Sequence, residues 1–152
     1  MRRYLTGSFL VVVALSGCGG SSTAPSPTEF LRLTVAPLQT LAGSPSTAEF
    51  SIRLQNVGSD PVALVFPSSC QVMPYVVDRK SGQIVLPPGG GWGCATVITN
   101  LTLAPSESHT QAVRVTTEKD PFQVAPGEYA IYARLESTTV RLQSASVLFS
   151  VR

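Results

Sequence analysis

The sequence is poor in the residues from which catalytic and metal sites are usually built. It has one histidine, His109, three cysteines and one tryptophan, and only 13% of its 152 residues are charged. A structural zinc site takes four ligands, mostly Cys and His, and neither a CxxC nor an HxxxH spacing occurs. A nucleophilic enzyme needs a base placed to activate its nucleophile. We therefore expect no metal, no cofactor and no catalytic residue, and we predict that the protein is not an enzyme.

Two interpretations of His109 remain open. It lies in "SESHTQ", where Glu107 and several serines would be the other members of a catalytic relay. The simpler interpretation, which we favour, is a surface residue that starts a strand. Nothing singles out a pair of carboxylates for glycoside hydrolysis either. Asp60, Asp78 and Asp120 fall in turns, where an Asp side chain bonds nearby backbone amides.

Long apolar runs are also missing, since none reaches the roughly 20 residues that span a bilayer as a helix. The run Phe9–Leu15 follows Arg2 and Arg3, an arrangement typical of a secretory signal. The segment Leu15-Ser16-Gly17-Cys18 then resembles the bacterial lipoprotein box. This resemblance implies a diacylglyceryl group on the Cys18 sulfur, cleavage before Cys18 and N-acylation of the new amino terminus. The alternative is an ordinary signal peptide in which Cys18 has no role.

From this motif we predict a lipoprotein signal peptide at residues 1–17 and a lipidated cysteine with a flexible tether at residues 18–28. The tether, "GGSSTAPSPT", is too small and polar to fold and reaches roughly 15–20 Å. Each buried methylene of an acyl chain contributes about 0.8 kcal/mol, and stable anchoring needs more than one chain. The protein should therefore contact a membrane through its lipid anchor only, outside the cytoplasm. Gly19 stands where Asp would indicate inner-membrane retention, which favours the outer membrane or the cell surface.

The chain also lacks an excess of either charge. Removing Arg2 and Arg3 with the signal leaves nine basic against nine acidic residues, a formal charge of zero. A nucleic-acid-binding surface needs clustered Lys and Arg, so we expect no nucleic acid partner. The 135 residues that remain are enough for one domain with a core, which we expect to be a monomer.

Two cysteines are left once Cys18 is set aside. In an exported chain, Cys70 and Cys94 would meet an oxidising compartment, and an even number predicts one disulfide. The bridge would close a loop of about 25 residues and stabilise the fold by roughly 3 kcal/mol. The alternative is two free, buried thiols.

The chain is rich in period-two alternation. In "EFSIRLQNVG", Phe50, Ile52 and Leu54 share one face and polar residues take the other, which indicates a half-buried strand. Similar segments, among them Ala95–Leu103, recur at a spacing of 8–12 residues with Pro and Gly turns between them, and no 3.6-residue apolar repeat is sustained. This pattern predicts an all-β, Ig-like antiparallel β-sandwich of seven to nine strands over residues 29–152.

Four segments in order carry a family resemblance: "FSIRLQNVGSDPVALVF", "YVVDRKSGQIV", "LAPSES" and "VAPGEYAIYARLE". Together they resemble the BsuPI-type domain, named for an intracellular proteinase inhibitor of bacilli, over roughly Ala48 to Val151. The resemblance implies an Ig-like β-sandwich and proteinase inhibition or protein binding. The chain departs from the family pattern in its lipoprotein start, its cysteine pair and its loop "PPGGGWGC". It also has Pro105-Ser106-Glu107 where Pro-Gly-Glu is usual.

The loop within "LPPGGGWGCATV" holds our candidates for partner binding. Its three consecutive glycines lack the Lys-Ser/Thr of a phosphate-binding loop. Trp92 has two open interpretations: it packs over the disulfide, as Trp does in some sandwiches, or it stands out and enters a pocket of a partner. Pro87, Pro88 and Gly91 complete the candidate surface, because a stiffened loop loses little entropy on binding.

These observations predict a lipid-anchored, extracytoplasmic protein-binding domain. One function is proteinase inhibition, with a protease as the protein partner. The alternative is a non-inhibitory binding or assembly module of the cell envelope.

Overall fold

Strands make up almost all of the regular structure. The computed structural model describes residues 27–39 and 46–152. In this part of the chain, two short 3-10 turns, Pro27–Phe30 and Pro88–Gly90, are the only helical segments. The ten strands are β1 (Leu31–Pro37), β2 (Thr47–Asn56), β3 (Val62–Phe66), β4 (Val72–Asp78), β5 (Ile84–Leu86), β6 (Thr99–Leu103), β7 (Ser108–Thr116), β8 (Gly127–Glu136), β9 (Arg141–Gln143) and β10 (Val147–Val151).

The strands form antiparallel sheets. One sheet has the order β1-β2-β7, and the other has the order β10-β8-β4-β5. Short β9 pairs with the last residues of β8, while β10 pairs with its first residues. Strands β3 and β6 form a separate ribbon.

Apolar residues that alternate with polar ones in the sequence are the buried residues of the strands. Along β2, Phe50, Ile52 and Leu54 are buried and Arg53 is exposed. Leu54 lies opposite Leu33 of β1, so the two strands present a continuous apolar surface to the core. This follows because side chains two apart on a strand share a face.

The two larger sheets pack face to face through aromatic rings. The ring of Phe50 in β2 lies 4.9 Å from that of Phe149 in β10, edge to face, and Phe149 also contacts Tyr129 of β8 at 5.6 Å. Leu64, Phe66 and Leu103 of the β3–β6 ribbon are buried in the same core. The arrangement is a β-sandwich, as predicted.

A tyrosine corner marks the sandwich as Ig-like. In such corners a Tyr near the start of a strand bonds back to backbone a few residues upstream. Here the Tyr129 hydroxyl donates a 2.6 Å hydrogen bond to the carbonyl of Ala125. A Cβ placed on Gly127 would lie 3.2 Å from that hydroxyl, so the small residue makes room for the bond.

A buried amide fixes the turn after β2. The side chain of Asn56 is fully buried, and its Nδ2 donates to the carbonyls of Asp60 and Leu103 at 2.7 and 3.0 Å. Its Oδ1 accepts the N–H of Gly58 at 2.9 Å. Asn56 therefore joins the β2–β3 turn to the end of β6.

The described residues hold more strands than predicted, and one predicted strand starts later. The described residues hold ten strands where we predicted seven to nine, because Arg141–Gln143 forms a three-residue strand too short to show alternation. The predicted strand Ala95–Leu103 begins at Thr99, since the bridge at Cys94 holds residues 95–98 in a loop. The predicted signal peptide, Cys18 and all but the end of the tether lie outside the described residues.

Candidate functional site: the disulfide-held loop

Twelve residues, Pro87–Ile98, connect β5 to β6, and we call them the disulfide-held loop. The loop starts at buried Pro87, after a cis peptide bond with Leu86. Gly89 and Gly90 have φ values of +69° and +80°, a region that residues with a Cβ enter at a cost. These two glycines therefore allow the sharp turn, and Pro88 and Gly91 lie exposed on either side of it.

The loop is fastened to the segment that precedes β4. Cys70 and Cys94 form a disulfide with their Cα atoms 5.5 Å apart, which confirms the pairing and excludes the two free thiols. Next to the bridge, the N–H of Ser69 donates to the carbonyl of Ala95 at 3.0 Å. The N–H of Ala95 donates in return to Ser69 Oγ at 2.9 Å. The covalent bond and the two hydrogen bonds hold the middle of the loop in one place.

Trp92 packs back onto the domain. Its indole Nε1 donates to the carbonyl of Pro74 in β4 at 3.1 Å, and its ring lies 5.5 Å from that of Phe122. It lines a cleft of 210 Å³ together with both disulfide cysteines. The structure thus agrees with the first interpretation of Trp92, as a residue that packs beside the bridge and positions the loop.

The exposed apolar side chains of the loop come later, at Val97 and Ile98. Val97 is 50% and Ile98 is 71% exposed. Their exposure was not expected from the sequence, where both fall in the predicted half-buried strand Ala95–Leu103. The signal that would have found them is their position between Cys94 and the turn back into the sheet, where a covalent tie interrupts regular pairing.

The far side of the loop is held as firmly as the near side. Thr99 Oγ1 donates to the carbonyl of Ser68 at 2.9 Å, and Gln71 Nε2 donates to Thr99 Oγ1 at 3.1 Å. Thr99 is also opposite Phe66 in the β3–β6 ribbon. Only residues 96–98 lie between these two fastened ends.

Charged groups near the cleft belong to the outer face of β4 and β8. The guanidinium of Arg134 lies 4.8 Å from the ring centroid of Tyr75 and 5.2 Å from that of Tyr132. Burial raises the pKa of the Tyr75 hydroxyl, the charge of Glu136 raises it further, and Arg134 opposes them. The net effect favours the protonated form of the Tyr75 hydroxyl.

Glu107, the acid of the relay considered for His109, is bonded to the backbone of its own turn. The Glu107 carboxylate accepts the N–H of Ala104 at 2.7 Å and so closes its own turn. His109 lies on β7 opposite Leu54, in the sheet β1-β2-β7, whereas Trp92 is bonded to β4 of the other sheet. Within residues 27–39 and 46–152, no group of three or more His, Cys, Asp or Glu side chains is placed to hold a metal ion. No helix in that part of the chain is long and apolar enough to cross a membrane.

Known proteins give one informative match. A family model described as "intracellular proteinase inhibitor", BsuPI, matches residues 36–140. Among curated proteins, none matches this chain.

Three solved structures with a similar fold are distant from this chain in sequence. A β-glucosidase from Erythrobacter marinus has a TM-score of 0.45 at 15% identity, over 80% of this chain and 15% of its own. The CARDB domain of a Pyrococcus furiosus protein has a TM-score of 0.43 at 20% identity, over 82% and 90%. A Listeria innocua β-glucosidase has a TM-score of 0.43 at 13% identity, over 80% and 16%. This chain thus spans about one sixth of each glucosidase.

Proposed function

The chain belongs to the BsuPI family of intracellular proteinase inhibitors, and from this membership we propose that it is a lipid-anchored, extracytoplasmic protein-binding domain that inhibits a proteinase. The disulfide-held loop is the contact surface. Family membership carries the proposal, since the match covers most of the folded domain. An inhibitor performs no chemistry of its own, which fits a chain with one histidine.

The construction of the loop supports this role. A protein that binds a protease must present a segment to the protease cleft without large loss of conformational entropy, since each ordered side chain costs about 0.5–1.5 kcal/mol on binding. The bridge at Cys94 and the bonds at Ala95 and Thr99 hold the loop before any partner arrives. Trp92 contributes by anchoring the loop to β4.

The proposed location rests on the amino-terminal motif and on the bridge. The segment Leu15-Ser16-Gly17-Cys18 resembles the lipoprotein box, and a structural disulfide such as Cys70–Cys94 persists in an oxidising compartment. The family is described as intracellular. Because we propose an extracytoplasmic location for this member, its target would be a protease outside the cytoplasm. A protease in the periplasm, at the cell surface or in the medium is the partner that such a location offers.

Inhibition is tested by titrating the protein against serine, cysteine and metalloproteases while following residual activity. We expect stoichiometric inhibition of at least one protease. Trp92→Ala should weaken it, because the loop loses its bond to Pro74. The matched control is His109→Ala, in the other sheet, which should inhibit as the wild type does. A protein that inhibits no class would contradict the proposal and favour a non-inhibitory binding or assembly module of the envelope.

Anchoring is tested separately, by growing cells with labelled palmitate and fractionating them. The wild type should carry label and sediment with membranes. Cys18→Ala should carry no label and leave the membrane fraction. Equal labelling of the two proteins would refute lipidation at Cys18, with no bearing on inhibition.

A further inference from the structure

Val97 and Ile98 form the apolar tip of the disulfide-held loop. Single exposed apolar residues are common on protein surfaces. These two are adjacent and highly exposed, and Ile98 is the most exposed of the large apolar side chains in the described part of the chain. The tip therefore presents two aliphatic side chains to a partner.

The backbone of the tip is held at both ends and belongs to no strand. Ala95 and Thr99 carry the hydrogen bonds to Ser69 and Ser68, and residues 96–98 run between them. Inside the segment, the N–H of Val97 donates to the carbonyl of Ala95 at 2.9 Å. A segment fixed in this way retains its conformation when a partner binds, so less affinity is lost to ordering.

The stretch of sequence that contains the tip carries no charge. No charged residue occurs from Ser81 to Ser106, in a chain of which 13% is charged. Proteases choose substrates by a primary pocket that accepts one side chain. The pocket is acidic in trypsin, a hydrophobic slot in chymotrypsin and small in elastase. An acidic pocket needs Lys or Arg, and this loop offers neither.

We propose that Ile98 is the specificity-determining residue of the inhibitor, and that it enters the apolar primary pocket of a protease with Val97 beside it. This inference rests on the proposed function. It deepens that function by naming the contact residue and the partner as a protease that accepts aliphatic side chains. Because the pocket selects by the chemistry of one side chain, changing Ile98 should change which protease is inhibited.

The experiment uses the full-length protein purified in detergent. The proteases are the one that the wild type inhibits in the panel, together with trypsin. Inhibition constants are measured for the wild type, Ile98→Val, Ile98→Asp and Ile98→Arg.

Ile98→Val should weaken inhibition by about tenfold, the lower end of the roughly 10–200-fold by which a pocket distinguishes one methylene. Ile98→Asp should weaken inhibition by at least about 100-fold, since an apolar pocket gives a carboxylate no partner. Ile98→Arg should gain inhibition of trypsin, which the wild type should not inhibit.

The matched control is Leu148→Asp, on β10. Leu148 is 59% exposed, so this variant adds the same charge to a similarly accessible apolar position outside the loop, and it should inhibit as the wild type does. Thermal unfolding of each variant confirms that the domain is folded.

The outcomes separate the two proposals. A wild type that inhibits no protease refutes the proposed function. Inhibition that is equally strong in Ile98→Asp refutes the role of Ile98 and leaves the proposed function standing. Inhibition of trypsin by the wild type would also overturn the inference, since an acidic pocket would then accept a loop without a basic residue.

Discussion

Replacing Asn56 with Ala should destabilise the domain more than most substitutions of a polar residue. The side chain is fully buried and makes three hydrogen bonds to backbone groups. Alanine can make none of them. The carbonyls of Asp60 and Leu103 and the N–H of Gly58 would each lose the hydrogen bond to Asn56.

The magnitude follows from the environment of each group. The bond to Leu103 is buried, so its loss, with no water to replace it, costs about 1–3 kcal/mol. The bonds to Asp60 and Gly58 are partly buried, so water replaces them in part at about 0.5–1 kcal/mol each. The free energy of unfolding should fall by about 3 kcal/mol, and the melting temperature by about 10 °C for a domain of this size.

Urea denaturation followed by circular dichroism measures this change. The control is Gln55→Ala, the neighbouring position, whose side chain makes one exposed bond of 3.4 Å to the carbonyl of Ser106. That variant should stay within about 0.5 kcal/mol of the wild type. A loss below about 1 kcal/mol in Asn56→Ala would refute the role of the buried amide, since it would mean that the three backbone groups find other partners.

Three further predictions concern turns. Ser106 has φ +66°, so Ser106→Gly should raise the free energy of unfolding by about 0.5–1 kcal/mol; an unchanged or lower urea midpoint would contradict this. Tyr129→Phe removes the bond to Ala125 and should lower the free energy of unfolding by about 1–2 kcal/mol. Unaltered stability would show that the tyrosine corner contributes nothing. Hydrogen bonds from the Ser81 backbone, the Ser81 hydroxyl and the Lys80 backbone lower the pKa of Asp78 below its usual 3.8. The ionised Asp78 carboxylate therefore stabilises the fold fully above pH 3.8. This contribution is lost as the pH falls through the lowered pKa of the folded state. Asp78→Ala should be less stable than the wild type at pH 7 and equal to it in strong acid, and a gap that persists in acid would refute this.

Much of the fold could be predicted because it depends on local alternation. Phe50, Ile52 and Leu54 alternate with polar residues, and a sheet with one buried face requires that order. Arg141–Gln143 was missed because three residues are too few to show a period. Ser106 departs from the family pattern at a position where φ is positive, which explains why glycine is usual there.

The candidate site could be predicted only in part because its geometry depends on contacts distant in sequence. The cysteine count predicted the bridge between Cys70 and Cys94. The orientation of Trp92 depends on Pro74 and Phe122, which lie 18 and 30 positions away, and no local pattern encodes these contacts. The exposure of Ile98 depends on the same bridge, which keeps the residues before Thr99 out of the sheet.

The most direct test of inhibition combines two readouts of one mixture. A protease that the panel identifies is held at a concentration well above the expected dissociation constant, and the full-length protein is added in steps. We predict that activity falls linearly to zero near one equivalent and that the inhibitor is recovered with its mass unchanged. Activity that persists at about tenfold excess for every protease class, or a protein that is digested as an ordinary substrate, would contradict the account.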